Sequence, residues 1–178
     1  MSPALGVVML DTRFPRVQGD IGNPATFDFP VRYRTVHGAS PRRVVVERDP
    51  ALLAPFLAAA RALEHEGATA IATSCGFLAL FQRELAESVR VPLWTSSLLL
   101  LADIDERLRT GRRAGVVSAD AGSLTADHLR AVGARADTPV EGLALDSALR
   151  ATLLDNLPDL DVEEASHATV AAALRLVA

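Results

Sequence analysis

The chain has 178 residues, a net charge of −4, 49% hydrophobic and 22% charged residues, enough for one good-sized domain or two small α/β lobes. All 18 basic residues are arginine, which excludes a lysine Schiff base, and with it ordinary pyridoxal phosphate chemistry, and also the lysine of a Walker A loop. The acidic balance argues against a nucleic-acid surface.

In chain order, Leu5 to Leu10 is a continuous apolar run and predicts a buried first strand. Asp11 to about Pro41 is rich in Gly, Pro, Asn, Asp and Arg and reads as a long irregular loop, a kind of segment that is often functional. Val44 to Val46 predicts the second strand, with Arg42-Arg43 as its solvated entrance. Asp49 and Pro50 predict a helix start, Leu52, Leu53, Phe56, Leu57, Ala60 and Leu63 recur at helical spacing, and Gly67 predicts the stop. A third strand is expected over Ala68 to Thr73, a helix from Phe77 to about Val89, and a short fourth strand over Val91 to Trp94.

A further helix is expected to reach about Arg109, with Gly111 breaking it. Ala114 to Ser118 predicts a strand, entered past Arg112-Arg113, and a helix led by Asp120 to Ser123 closes at Gly133. Val140 to Leu145 predicts another strand, and Ser147 to Asn156 and Glu163 to Val177 predict helices. Strands alternating with helices imply parallel sheets with right-handed crossovers, an α/β fold. Gly6-Val7-Val8 and Gly115-Val116-Val117 open the two halves alike. The expected division is a first lobe over residues 1–97 and a second over 98–178. Neither opening strand runs into a G-x-G-x-x-G loop, so a dinucleotide site has no support.

The longest apolar stretch, Leu98 to Ala102, is too short to span a bilayer. The amino-terminal residues lack a basic region ahead of an apolar one, so no signal peptide is expected. One cysteine forms no internal disulfide, and the expected location is the cytoplasm. His37, His65, His128 and His167 are scattered without ligand spacing, so no metal site is expected.

Cys75, the single cysteine, follows the third strand and the hydroxyl residues Thr73 and Ser74, and Gly76 follows it at the expected helix start. That places a thiol at the carboxyl edge of a sheet, where open α/β folds bind ligands. Free N–H groups at a helix N-terminus favour a thiolate, so the expectation is a thiol more acidic than the usual value of about 8.5. Asp11 at the end of the first strand, expected close to Cys75, would oppose this. At the level of residues alone, an inert buried cysteine and a functional one both stay open.

Four segments together resemble the cofactor-independent aspartate/glutamate/hydantoin racemase superfamily. They are the first strand running into Asp11-Thr12 with Phe14-Pro15-Arg16 and Gly19 to Pro24; Gly67 to Phe77 around Cys75; Val91 to Leu98; and Gly115 to Ser118 with the helix around Leu124 to Gly133. The resemblance implies two similar lobes with parallel sheets flanked by helices, and α-proton chemistry without a cofactor. In that family a cysteine from each lobe stands on opposite faces of the substrate α-carbon, one taking the proton and the other returning one.

By position the resemblance gives Cys75 as the first-lobe catalytic cysteine. It gives Asp11, Thr12, Ser74, Gly76, Phe77 and Ser118 as residues about the substrate. It implies a racemase-like isomerase acting on a small amino acid or related carboxylate, with a homodimer left open. The family's second cysteine has no counterpart among these residues, so the expectation is a piece of a longer protein, or a chain shortened at its C-terminus, with an incomplete second lobe.

Two alternatives stand beside it. One is a one-cysteine relative: decarboxylases of substituted malonates keep only the second-lobe cysteine, whereas maleate isomerases keep both and attack a double bond with one. The other is a non-catalytic protein that binds a small carboxylate. Arg13 or Arg16 reads either as a holder of a second carboxylate or as loop surface.

Overall fold

The computed structural model describes residues 3–178. The chain divides into two compact units, one of residues up to Thr12 plus Arg16–Ser96, the other of Arg13–Pro15 plus Ser97–Ala178. Both are α/β units with parallel sheets and flanking helices.

In the first unit, β1 (Leu5–Leu10), β2 (Val31–Val36), β3 (Ala70–Thr73) and β4 (Leu93–Trp94) form one parallel sheet in the order β2-β1-β3-β4. β1 is central, with Val7 and Val8 buried, as an apolar run covered on both faces must be. The helix α1 (Leu53–His65) packs on β1, β2 and β3. Its buried face is Phe56, Ala59, Ala60 and Leu63, and Asp49 caps the preceding turn by accepting the Ala51 N–H at 2.9 Å. Gly67, at φ 90°, turns the chain out of α1 into β3 in a conformation that glycine adopts without steric cost.

Two of the expected elements are corrected here. The strand next to β1 is Val31–Val36, inside the stretch read as a loop, and it pairs with β1 along its whole length. It is an edge strand with Arg32 exposed, so Arg32 and Arg34 interrupt the apolar pattern that marks a buried strand. Val44 to Val46 is not a strand: Arg42–Val46 is a π-helical turn closed by the Glu47 N–H donating to the Arg42 carbonyl at 3.0 Å. Val44 and Val45 are buried from that turn, because β2 already occupies the sheet edge that a second strand would need. Strand propensity lost to tertiary pairing. Arg43 is accordingly no strand entrance; it donates to Asp49 at 2.6 Å and holds that carboxyl below its usual range.

In the second unit β5 (Val116–Ser118) and β6 (Val140–Gly142) form a parallel two-stranded sheet. Four helices accompany it: α3 (Leu101–Arg107), α4 (Ala126–Ala131), α5 (Ala148–Asp155) and α6 (Val162–Val177). The last packs on both strands. Asp161 starts α6 by accepting the N–H groups of Glu163 and Glu164. Gly142 is required by close approach, since a Cβ there would stand 2.9 Å from the Ala121 backbone nitrogen. Backbone cannot yield as a side-chain tip can. Gly142→Ala is therefore expected to cost about 1–3 kcal/mol, whereas Gly122→Ala, whose nearest neighbour would be 3.9 Å away, should be near neutral. Thermal melts of the two variants check this; equal melting temperatures would refute the crowding. Among the described residues no helix is long and apolar enough to cross a membrane.

Candidate active site around Cys75

β1 leads to β2 on one side of itself, while β3 lies on the other, so the carboxyl edge between β1 and β3 is a topological switch point. Cys75 emerges there from β3, and Asp11 and Thr12 emerge there from β1. The two strand ends are tied together: the Ser74 N–H donates to the Val8 carbonyl at 2.9 Å, and the Ser74 hydroxyl accepts the Leu10 N–H at 3.2 Å. Ser74 thus builds the site with its hydroxyl rather than presenting it.

Beyond β3, Cys75 precedes a six-residue 3₁₀ turn, Gly76–Phe81, and α2 (Gln82–Glu87) begins only after it. Phe77 is buried and packs as core. Gly76 lies under Ser96, whose hydroxyl would be 3.0 Å from an added Cβ. A polar network missed in the sequence braces this edge. Thr73 donates to the Thr95 carbonyl at 2.6 Å, and Gln82 accepts from both the Thr95 N–H and its hydroxyl while donating to the Leu93 carbonyl. Thr95 is 1% exposed; burial of so small a polar side chain is invisible in a one-dimensional pattern.

The thiol itself is only partly covered as a residue, yet protein surrounds its sulfur closely enough that burial pushes it up to about 11. The Phe77 and Leu78 N–H groups and the Arg16 guanidinium work in the opposite direction and are outweighed. The expectation of an acidic thiol is overturned. A 3₁₀ turn supplies no extended helix dipole, so these few short-range donors are left to oppose burial.

The other expected site residues divide. Thr12 accepts a hydrogen bond from Arg16 Nη2 at 3.0 Å. The Asp11 carboxylate accepts the Gly38 N–H at 2.9 Å and lies 3.9 Å from His37 Nδ1, so it is turned toward the chain beyond β2. Ser118 ends β5 in the second unit, buried, with its hydroxyl beside the Asp120 backbone at 3.4 Å. Beyond it Asp120 accepts from Ser123 at 2.6 Å and from Arg150 at 2.8 Å, and these bonds keep its carboxyl below the usual range. Arg13 is in the second unit, its N–H donating to Asn156 at 2.7 Å.

No protein-family model matches the chain. It is 33% identical over 127 residues to a dimethylsulfoniopropionate lyase of Durusdinium sp. clade D, an alignment covering 70% of this chain and 42% of that protein. Dimethylsulfoniopropionate lyase 7 of Emiliania huxleyi (strain CCMP1516) is 36% identical over 101 residues, covering 56% of this chain and 29% of that protein. The chain thus spans less than half the length of these relatives.

Among solved structures, a glycine-to-cysteine variant of arylmalonate decarboxylase in a sulfate-associated form superposes with a TM-score of 0.53 at 19% identity, covering 96% of this chain and 74% of that one. Unliganded arylmalonate decarboxylase gives 0.51 at 16% identity, covering 97% and 74%. The chain has the aspartate/glutamate racemase-like fold. That likeness shows architecture and leaves the chemistry to the residues.

Proposed function

We propose that this chain carries the proton-abstracting half-site of a lyase that eliminates a leaving group from the β-carbon of a small carboxylate, with dimethylsulfoniopropionate as the first substrate to test. The observation that carries the reading is the single thiol at the β1/β3 switch point, taken with the similarity to dimethylsulfoniopropionate lyases. Racemisation needs two bases, because one base returns the proton to the face it left. Elimination needs one.

In the proposed step the Cys75 thiolate takes the proton from the α-carbon. The electron pair of that C–H bond becomes the second bond between the α- and β-carbons, and the β-carbon–sulfur bond breaks with its pair on sulfur. Dimethyl sulfide leaves, acrylate remains, and the thiol returns its proton to solvent. A thiol raised to about 11 is mostly neutral at neutral pH, but its thiolate is a strong base when formed. A cationic sulfonium beside it favours that anion. The Gly76–Phe77 backbone with Thr12 is proposed to face the carboxylate end.

A second reading is favoured by the same raised thiol: decarboxylation of a substituted malonate, with neutral Cys75 delivering a proton to the resulting enediolate. Incubation of the full chain with dimethylsulfoniopropionate, read by headspace dimethyl sulfide and by acrylate resonances, tests the first reading. Sulfide and acrylate in equal amounts, lost in Cys75→Ala, are expected. Carbon dioxide from a substituted malonate with no sulfide from the sulfonium substrate would transfer the assignment to the second reading. Neither product, and no deuterium uptake at the α-carbon in heavy water, would overturn both.

A further inference from the structure

The hydroxyl of Thr73 stands between two carbonyl groups. It donates to the Thr95 carbonyl at 2.6 Å and, as the longer branch of a shared bond, to the Cys75 carbonyl at 3.2 Å. The Cys75 carbonyl also accepts the Leu78 N–H at 3.1 Å. Ser74, the residue before the cysteine, is held to β1 through both its N–H and its hydroxyl. Pinned just before Cys75 and again at its own carbonyl, the backbone leaves the thiol little freedom beyond rotation about χ1.

Thr95 is held in turn by a single side chain. Gln82 Oε1 accepts the Thr95 N–H at 2.9 Å and its hydroxyl at 2.7 Å, while Nε2 donates to the Leu93 carbonyl at 3.0 Å. β4 is an edge strand that pairs with β3 through alternate residues, the Pro92 carbonyl accepting the Ile71 N–H at 2.8 Å. The Leu93 carbonyl and the Thr95 N–H face the open edge, so the Gln82 amide takes the place of a further parallel strand. Ser96, the next residue, lies over Gly76, the residue after the thiol. The end of β4 therefore bears on the chain both before and after Cys75. Thr73 and Thr95 are buried, and a buried carbonyl that loses its donor costs more than an ordinary bond contributes.

We propose that Thr73 is a positioning residue of Cys75: its buried hydroxyl, anchored through Thr95 to Gln82, fixes the turn that carries the thiol. The relay touches no substrate. It acts through the Cys75 carbonyl and keeps the sulfur packed in protein at the strand end. The catalytic value of that placement rests on Cys75 being the reacting group of the proposed lyase. Alkylation measures the placement without any substrate, so a chain that releases no sulfide would count against the function and leave the relay to be judged by its own result.

Cys75 is the only cysteine in the chain, so its alkylation by iodoacetamide can be followed on the full chain by intact mass. Thr73→Val keeps the shape of the side chain and removes the hydroxyl. The Thr95 and Cys75 carbonyls then turn to water, the turn opens locally, and the thiol moves from about 11 toward the ordinary value of about 8.5. Labelling near neutral pH is expected to quicken by about tenfold or more, since each unit is tenfold in thiolate. Thr73→Ser restores the hydroxyl and should label within about twofold of the unmodified chain. Ser88→Ala, which removes a 2.8 Å bond to the Leu85 carbonyl at the far end of α2, should leave the rate unchanged.

Low concentrations of urea separate a local role from general loosening. A local opening exposes little surface, so its rate is insensitive to urea, whereas labelling through global unfolding rises steeply with it. Faster, urea-insensitive labelling in Thr73→Val, with Thr73→Ser like the unmodified chain, supports the assignment. An unchanged or slower rate, acceleration that grows with urea, or the same change in Thr73→Ser or Ser88→Ala overturns it. Should Thr73→Val fail to fold, Gln82→Ala, at a partly covered position, decides by the same criteria.

Discussion

If Cys75 is the base of the proposed elimination, its rate is expected to accelerate with pH, about tenfold per unit through the neutral and mildly basic range, until Cys75 ionises near 11. The sign follows from the acid-base role. In the proposed step the base is the thiolate, and burial holds the group in its protonated form over that whole range, so each unit of pH multiplies the reactive fraction. A cationic substrate stabilises the thiolate in the complex, so kcat should level off at lower pH than kcat/KM does.

Replacing Cys75 with alanine removes the base and should lower kcat by about 10²–10⁴. Serine should do little better, because an alcohol is a far weaker acid and supplies almost no anion. The rival decarboxylation has the opposite profile. It uses the neutral thiol, so its rate should be flat through neutrality and decline as Cys75 ionises. Rates of the full chain across this range, with the two Cys75 variants, separate the readings. A flat elimination profile, or full activity in Cys75→Ala, would exclude Cys75 as the base.

The largest effect on stability is expected from Phe56→Ala. Phe56 is fully buried on the face of α1 that packs against the first sheet. Truncation removes its transfer free energy and leaves a void where α1 packs on β1, β2 and β3, elements that are themselves fixed. The expected cost is about 3–5 kcal/mol. Leu145→Ala provides the contrast, because Leu145 is 84% exposed and its truncation should change stability by no more than about 0.5 kcal/mol. Trp94, the single tryptophan, lies in the first unit and reports on its unfolding in urea. Coincident midpoints for Phe56→Ala and the unmodified chain would mean that α1 is not seated on the sheet as described.

Much of the architecture was legible in the sequence because local and tertiary preferences agree there. Leu5–Leu10 is apolar at every position because both faces of a central parallel strand are covered. Asp49-Pro50 and Gly67 bound α1 through capping and a positive φ, both of which are local chemistry. Cys75 could be placed at a sheet edge for the same reason: the strand before it and the turn after it are both written in adjacent residues.

Where local preference and long-range pairing disagree, pairing decides. Val31–Val36 became a strand despite its arginines because the edge of β1 was open to it, and Val44–Val46 became a helical turn despite its valines because that edge was then filled. The charge state of Cys75 belongs to the same class. Sequence determined that a thiol follows β3, but its ionisation depends on how completely protein replaces water around the sulfur and on an arginine 59 positions earlier in the chain. Desolvation and Coulomb interaction act through space, so only the folded loop that carries Arg16 back to the β1 edge could reveal them.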